Sequence, residues 1–470
     1  MKRSPLFFWG CFFFIGCGLV LRPHPCYLIP LFALSLITKK NPIPWFFLIA
    51  GLSLTLIRYP YSDLPDEPIQ GKGHFVLTSI APAHSPFHKS LALRGKLKLF
   101  ESIRGHYRNI PCTILCKTLP KTGSEWIVEG TLSDRSRFKP DKKIPWEEVK
   151  DSFSWARWRH AKKQAMRTKI HKQFKDKPVA HFFTSMATGD IDDRLQAMEF
   201  RKIGLGHILA ISGYHFALLA GLFALFLRRL FAPRTAYALL LFLLTGYFLY
   251  LGFSPSIMRA YVMISFFLLG RLYRRQVGGL NLLGAALLIE LLTDPLVATQ
   301  VGFQLSFLAT LAILLFYHPC AKVLEPLLPR RGLPALRKLP LLDQHGTLFT
   351  TLLRSGLALN LSVSLVTLPL VLFTFHKFPL LSIPYNLFLP PLLSLSLLLL
   401  PFSLLIPFVG VINERYTSWL LSLIANPPEI LHYQIFSSEI HFSLLIVLIT
   451  TPIAAALAYR EYKENPPIFH

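Results

Sequence analysis

The stretch LLRSGLALNLSVSLVTLPLVLFTF, Leu352 to Phe375, carries one charged residue, Arg354, over a length that lets a helix cross the hydrocarbon core of a bilayer. Backbone amides have no water partner at that depth, so a helix that closes all its own hydrogen bonds is the conformation such a stretch can hold. Ile208 to Leu227 and Ala236 to Gly252 read the same way. Hydrophobic residues make up 52% of the 470 and are gathered into blocks, which excludes a set of soluble globules and predicts a polytopic α-helical membrane protein.

Working outward, three apolar segments open the chain: Leu6 to Leu21, Tyr27 to Thr38 and Pro44 to Ile57. Lys2 and Arg3 give the first the look of a signal peptide. No small-residue cleavage site follows it and two more apolar segments do, so it is expected to stay as a membrane helix. A polar region runs from Tyr59 to Pro178, and the remainder to Tyr459 is mostly apolar. Near its end Pro390, Pro391, Pro401 and Pro407 break the pattern, and Trp419 to Tyr433 reads as an interfacial helix. The expected total is about eleven or twelve spans.

The net charge of +25, from 50 Lys and Arg against 25 Asp and Glu, fits cytoplasmic loops, a surface that meets polyanions, or both. If the N-terminus is cytoplasmic, Lys39 and Lys40 fall inside and the polar region outside. The basic clusters Arg228, Arg229 and Arg234, then Arg271, Arg274 and Arg275, then Arg330, Arg331, Arg337 and Lys338 all return inside. The opposite turns, at Ser254-Pro255, Asp294-Pro295 and His376 to Pro379, hold one Lys and no Arg, as the positive-inside rule requires.

Within the polar region, His74 to Ala81, Leu91 to Phe100, Ile110 to Lys117 and Glu125 to Ser133 are predicted strands, separated by Gly, Pro and Ser turns, of a small barrel or sheet. Leu91, Leu93, Leu97 and Leu99 would share one face of the second, with Arg94, Lys96 and Lys98 on the other. That cationic face is either an ordinary solvated surface or one that meets nucleic acid, and the basic excess on the side where sorting does not demand it favours the second. Ser152 to Lys177 is a predicted amphipathic helix, with Trp155, Trp158, Ala165, Ile170 and Phe174 along one stripe. Arg157, Arg159, Lys162, Lys163, Arg167, Lys169, Lys172 and Lys175 surround it. Such a helix could lie in the headgroups of an anionic membrane or bind a nucleic-acid strand with cations and stacking rings.

Six cysteines give no disulfide framework. Cys112 and Cys116, four apart on one strand, are about 13 Å apart and cannot bridge each other, so both are expected on the core side. Histidines are scattered singly and no paired-His and Asp cluster is visible, so no metal is expected. There is no GxxxxGK[ST] loop, and no cofactor is expected.

The segment with the most specific signal is MATGDIDDRLQAMEFRKIGLGHILAISGYHFALLAGL, Met186 to Leu222. A turn with Asp190, Asp192 and Asp193 leads through Gly204-Leu205-Gly206 into a membrane helix bearing His207, Ser212, Gly213 and His215. Polar and ionisable groups entering a span are costly unless they face protein or water, which makes His207, Ser212 and His215 site candidates. The plainer alternatives are that His207 marks the interface and Ser212 bonds its own helix.

Read with SPSIMRA (Ser254 to Ala260), LLTDPLVATQVGFQLSFLATLAIL (Leu291 to Leu314) and PYNLFLPPLLSL (Pro384 to Leu395), this segment closely resembles the competence region of the ComEC family of DNA-uptake channels. The family's Gly-X-His-Leu-Leu-Ala-Ile-Ser-Gly-Leu-His, Ser-Pro-Ser-X-X-Arg-Ala and Asp-Pro…Gly-Phe-Gln-Leu-Ser-Phe motifs occur in the same order, over about Pro178 to Pro407. The resemblance implies a small all-β, OB-like, extracytoplasmic domain inserted between membrane segments. The organisation is then three helices at 1–58, the β domain at 59–150, the basic helix at 151–178, a competence-type channel at 179–460 and a tail at 461–470.

By the same resemblance the chain would conduct single-stranded DNA across the bacterial cytoplasmic (inner) membrane during natural transformation. Asp190, His207, Ser212, His215, Ser254, Arg259, Gln304, Ser306 and Asn386 stand at motif or pathway positions. Arg94, Lys96, Lys98, Arg157, Arg159, Lys162 and Lys163 would form a DNA-binding basic surface. Arg259 is the best phosphate candidate, since a guanidinium within a span needs an anionic partner, whether a passing phosphate or a fixed Asp294 or Glu290.

Tyr214 and Phe216 depart from the family's usual Leu and Val. Many members continue into a metallo-β-lactamase-like nuclease domain, and the sequence ends at His470 without one, so a separate nuclease is expected. A cytoplasmic DNA motor or single-strand-binding proteins would supply the pull, and a homodimer is left open. A channel rather than an enzyme is expected. The alternative is an intramembrane enzyme or a transporter acting on an envelope lipid, glycan or small anion: Ser212 and His215 can meet on a helix, but no oxyanion donor or third orienting group is visible, and no inverted repeat.

Overall fold

The computed structural model describes residues 4–38, 41–59, 67–84, 89–103, 105–120, 123–133, 137–141, 144–150, 153–209, 211, 213–328, 340–428, 434–436 and 439–464. The chain is mostly helical with a β domain inserted after its first three helices, as the sequence predicts. Those helices are α1 (Pro5–Leu21), α2 (Leu28–Thr38), entered through a 3₁₀ turn at Pro25–Tyr27, and α3 (Ile43–Arg58).

Six strands follow: β1 (Ile69–His84), β2 (Lys89–Ser102), β3 (Gly105–Cys116), β4 (Glu125–Ser133), β5 (Arg137–Pro140) and β6 (Glu147–Lys150). Their order is β1-β2-β3-β5-β4, closed by a β1–β4 pairing, with β3 and β5 parallel and β6 added outside β4. This is the closed five-strand Greek-key barrel of an OB-type fold. Phe75, Leu93, Leu97, Phe100, Ile114, Trp126 and Phe138 fill it.

Leu99 does not join Leu97 in that core. Between the pairs Phe75↔Leu97 and Gly73↔Phe100, two residues of β2 face one of β1, and this bulge turns Phe100 inward instead. Cys112 is buried and Cys116 half-buried on the core side, both free thiols.

The remaining helices are α4 (Trp155–Gln173), α5 (Lys177–Thr188), α6 (Arg194–Lys202), α7 (Gly206–Leu209), α8 (Gly213–Leu230), α9 (Pro233–Leu251), α10 (Pro255–Leu272), α11 (Gly279–Thr293), α12 (Val301–Val323), α13 (Leu341–Phe375), α14 (Ser382–Ser403), α15 (Pro407–Ala425) and α16 (Phe442–Glu464). Two three-residue strands, Lys377–Pro379 and Gln434–Phe436, pair outside the bundle. Among the described residues, seven helices are long and apolar enough to cross a membrane: α8, α9, α10, α12, α13, α14 and α16. Four shorter apolar ones, α1, Pro25–Thr38, α3 and α11, accompany them.

α14 stays a single helix although Pro390, Pro391 and Pro401 lie within it. Polar side chains of α15 bond its backbone, Tyr416 Oη to Leu392 O at 3.0 Å and Asn413 Nδ2 to Ser396 O at 3.1 Å. The expected interfacial helix at Trp419 to Tyr433 is instead the second half of α15, which starts at Pro407 and buries Asn413 and Thr417 against α14. Residues 429–433 lie outside the described residues.

Three apolar cores organise the helices. One joins α1 to α10, α11, α12 and α16 through Phe7, Phe12, Phe13, Val262, Leu283, Phe303 and Leu457. A second gathers the end of α4 with α5, α6, α7, α14 and α15. The third is α8, α9 and α10. The N-terminal helix is therefore part of the bundle. At its crossing with α11, a Cβ on Gly284 would overlap the backbone of Leu6 and Phe7, so only a glycine permits that approach.

Candidate functional site

The helix expected to run unbroken from Ile208 is interrupted. α7 ends at Leu209, Ile211 is buried and non-helical, and α8 begins at Gly213. Ser212, a sequence candidate, lies outside the described residues. An interruption inside an apolar helix is tolerated where the freed backbone groups face protein or a wet cavity.

Around the break the three cores meet. His207 comes from α7 in the second, His215 from α8 in the third, Arg259 from α10, which both the first and third share, and Glu290 from α11 in the first. His207 is exposed. His215 is buried beside the Tyr214 ring, whose hydroxyl shares a 2.6 Å hydrogen bond with Ser394 of α14. A Cβ on Gly213 would lie 3.0 Å from Arg259 Nη2, so a glycine lets the guanidinium reach the first turn of α8. Arg259 Nε is buried with no hydrogen-bond partner, and so are both carboxylate oxygens of Glu290. Two positive features, a guanidinium and a helix N-terminus, therefore stand together with a carboxylate near but not bonded, an arrangement that attracts an anion.

Of the other motif positions, Ser254 is the N-cap of α10, ahead of Pro255 at the first helical position, and its side chain makes no cap bond. Gln304 donates to Ala298 O at 2.8 Å and lines a separate cavity of about 280 Å³ with Arg22, Tyr27, Thr299 and Thr374. Ser306 and Asn386 are half-buried on α12 and α14. The structure thus groups His207, His215 and Arg259 and leaves Gln304 in a separate cavity.

Asp294 is not Arg259's partner. It receives Lys96 Nζ of β2 at 2.7 Å and Tyr59 Oη at 2.8 Å, and it caps the 3₁₀ turn Pro295–Thr299 through Leu296 N at 3.1 Å. One carboxylate clamps the β domain to the bundle. Asn109 Nδ2 and Arg58 Nη1 add bonds to Arg58 O and Thr293 O at the same junction.

α4 is a strut rather than a helix lying free on a surface. Ala156 enters the barrel core, and Ile170 and Phe174 enter the core of α5 and α6. Arg159, read as part of the charged face, is buried; its Nη2 donates to Thr78 O at 2.8 Å. Trp155, expected on the apolar stripe, is exposed. Arg157 donates to Gly123 O and Pro120 O and lies over the Trp126 ring. Lys163 pairs with Asp190 at 3.2 Å and Arg167 with Asp192 at 2.6 Å. Burial lowers the pKa of His160 beside them, with Asp190 acting in the opposite direction. Lys98 pairs with Glu125 at 3.0 Å. Of the seven residues expected on a basic surface, Arg94, Lys98 and Lys162 are exposed, Lys98 while pairing with Glu125, and the other four hold the domains together.

The sequence reading passed over two groups that the fold makes prominent. Glu290 drew notice only as a partner for Arg259, and His171 and His181, ten residues apart, gave no metal-ligand spacing.

The family model described as Competence protein matches residues 187–460. ComE operon protein 3 of Bacillus subtilis (strain 168) is 29% identical over 200 residues, which are 42% of this chain and 22% of that protein. No solved structure matches the chain. The family match takes in the helices that carry His207, His215, Arg259 and Glu290 and more than half of the chain: the chain belongs to the Competence protein family, the ComEC family that the sequence resembles.

Proposed function

We propose that the chain forms a passage carrying single-stranded DNA across the bacterial cytoplasmic membrane in natural transformation, with the barrel on the outer side. The observation that carries this reading is the convergence of His207, His215, Arg259 and Glu290 where three helix cores meet, inside the family-matched region. A strand crossing hydrocarbon needs donors for its phosphates along a wet path, and each contact must be weak enough to let go. Arg259 brings a guanidinium whose Nε has no hydrogen-bond partner, and Glu290 nearby tempers its grip. Exposed Arg94, Lys98 and Lys162 would meet DNA ahead of these groups, without sequence preference. No P-loop occurs in the sequence, so the pull comes from a cytoplasmic motor or from single-strand-binding proteins, and removal of the second strand falls to a nuclease activity.

The test is Arg259→Gln, with His215→Ala beside it, expressed at wild-type level in a transformable host. Loss of one charge-assisted phosphate contact, about 1.5–3 kcal/mol, predicts a fall in transformation of roughly 10- to 100-fold. Wild-type import by a correctly inserted Arg259→Gln protein would remove Arg259 from the path.

A further inference from the structure

His171 of α4, His181 of α5 and Asp192 of the turn before α6 each present a ligand atom, all within 4.8 Å of one another. His171 Nε2 lies 3.3 Å from Asp192 Oδ2. His181 Nδ1 lies 3.5 Å from Asp193 Oδ2 and is buried without a hydrogen-bond partner. The two rings meet edge to face, 5.4 Å between centroids.

A carboxylate oxygen only accepts, and so does the bare nitrogen of a neutral imidazole. His171 Nε2 can meet Asp192 Oδ2 in two ways: as the N–H of one tautomer it donates directly, and as a bare nitrogen it needs a metal between the two acceptors. Arg167 also holds Asp192, Nη2 on Oδ1 at 2.6 Å and Nε on Oδ2 at 3.2 Å. A carboxylate offers about four lone-pair sites, so Oδ2 keeps one toward the histidines.

We propose that His171, His181 and Asp192 form a zinc site, with Asp193 as a fourth oxygen or as the group that orients His181. Imidazole and carboxylate together suit zinc. Zinc–ligand bonds of about 2.0–2.1 Å in a tetrahedron put ligand atoms about 3.3 Å apart. The His171–Asp192 edge already has that length, and the wider edges close by rotation of the imidazoles. The His171 side chain is 34% exposed, which gives the ion a way in from water. The metal would staple the α4 strut to the Asp190–Asp193 turn, fixing the barrel's support against the family-matched region.

The experiment uses the full chain purified in detergent, stripped with chelator, supplied with zinc chloride and passed over a sizing column before metal analysis. The wild type is expected to retain about one zinc, raise its thermal midpoint with zinc and lose that rise with chelator. X-ray absorption at the zinc edge should show nitrogen and oxygen ligands without sulfur. The double variant H171Q/H181Q should bind at least 10-fold more weakly, and the single H181Q serves if the double does not fold. Three results would overturn the site: no zinc retained by folded wild type, sulfur in its ligand shell, or equal retention by the variants. A midpoint that responds to pH alone, with no zinc effect, would assign the His171–Asp192 contact to a proton and also overturn it.

Discussion

Replacing Asp294 tests how the barrel is held to the membrane bundle. Its carboxylate takes Lys96 at 2.7 Å and Tyr59 at 2.8 Å and caps a helical turn at Leu296. The Lys96 and Asp294 side chains are 35% and 24% exposed, so water screens the pair, and its share falls to about 0.5–1.5 kcal/mol from the larger value of a fully buried one. The Tyr59 bond adds about 1 kcal/mol and the cap about another. Asp294→Ala should therefore cost about 2.5–3.5 kcal/mol and Lys96→Met about 1 kcal/mol. A double-mutant cycle read by unfolding in mixed micelles isolates the pair, with an expected coupling of about 0.5–1.5 kcal/mol. Additivity within about 0.3 kcal/mol would mean that Lys96 and Asp294 do not act on each other, and the clamp would have to be sought in the Tyr59, Arg58 and Asn109 contacts.

Gly284→Val should push α1 off α11 and lower the yield of folded protein, at a cost of at least about 1–3 kcal/mol, whereas Gly221→Ala, where nothing lies within 4 Å, should be neutral or stabilising by thermal melt. The Glu125 carboxyl is raised by desolvation but held lower overall by Lys98 and His74, so its folded pKa lies below the ordinary 4.5. It contributes stability above that value and loses it as pH falls through the folded pKa; Trp126 fluorescence should show an acid limb that Glu125→Gln removes. Burial pushes the Cys112 thiol up to about 12, so it should resist alkylation at pH 8 until the barrel is unfolded, as mass spectrometry of labelled peptides would show.

The helices and barrel strands were legible because each obeys one period. Glu125 to Ser133 is a strand at the expected bounds, and the three opening segments match α1, α2 and α3 to within a residue or so. Alternation failed at Leu99 because a bulge adds a residue to one strand, and no residue type announces it. The helical period placed Ile170 and Phe174 of the α4 segment in the buried stripe, as observed, but it also put Trp155 there, which is exposed, and missed Ala156 and Arg159, which contacts with the barrel bury. The break near Ile211 was hidden because Ile208 to Leu227 is uncharged apart from His215 and mostly apolar, and Gly213 matters only through Arg259 reaching in from α10. For the site, motif order placed His207, His215 and Arg259 on separate segments, and the packing of three cores brings them together. It also shows that Asp190 and Lys163 pair with each other.

The central claim is that DNA crosses the membrane through this chain. The direct measurement is removal of its gene from the host, followed by labelled DNA scored separately outside the membrane and in the cytoplasm. DNA that accumulates outside while the cytoplasmic signal disappears, with both restored by the wild-type gene, is the predicted result. Unchanged cytoplasmic DNA would contradict the account and leave Arg259 and its neighbours serving some other anion.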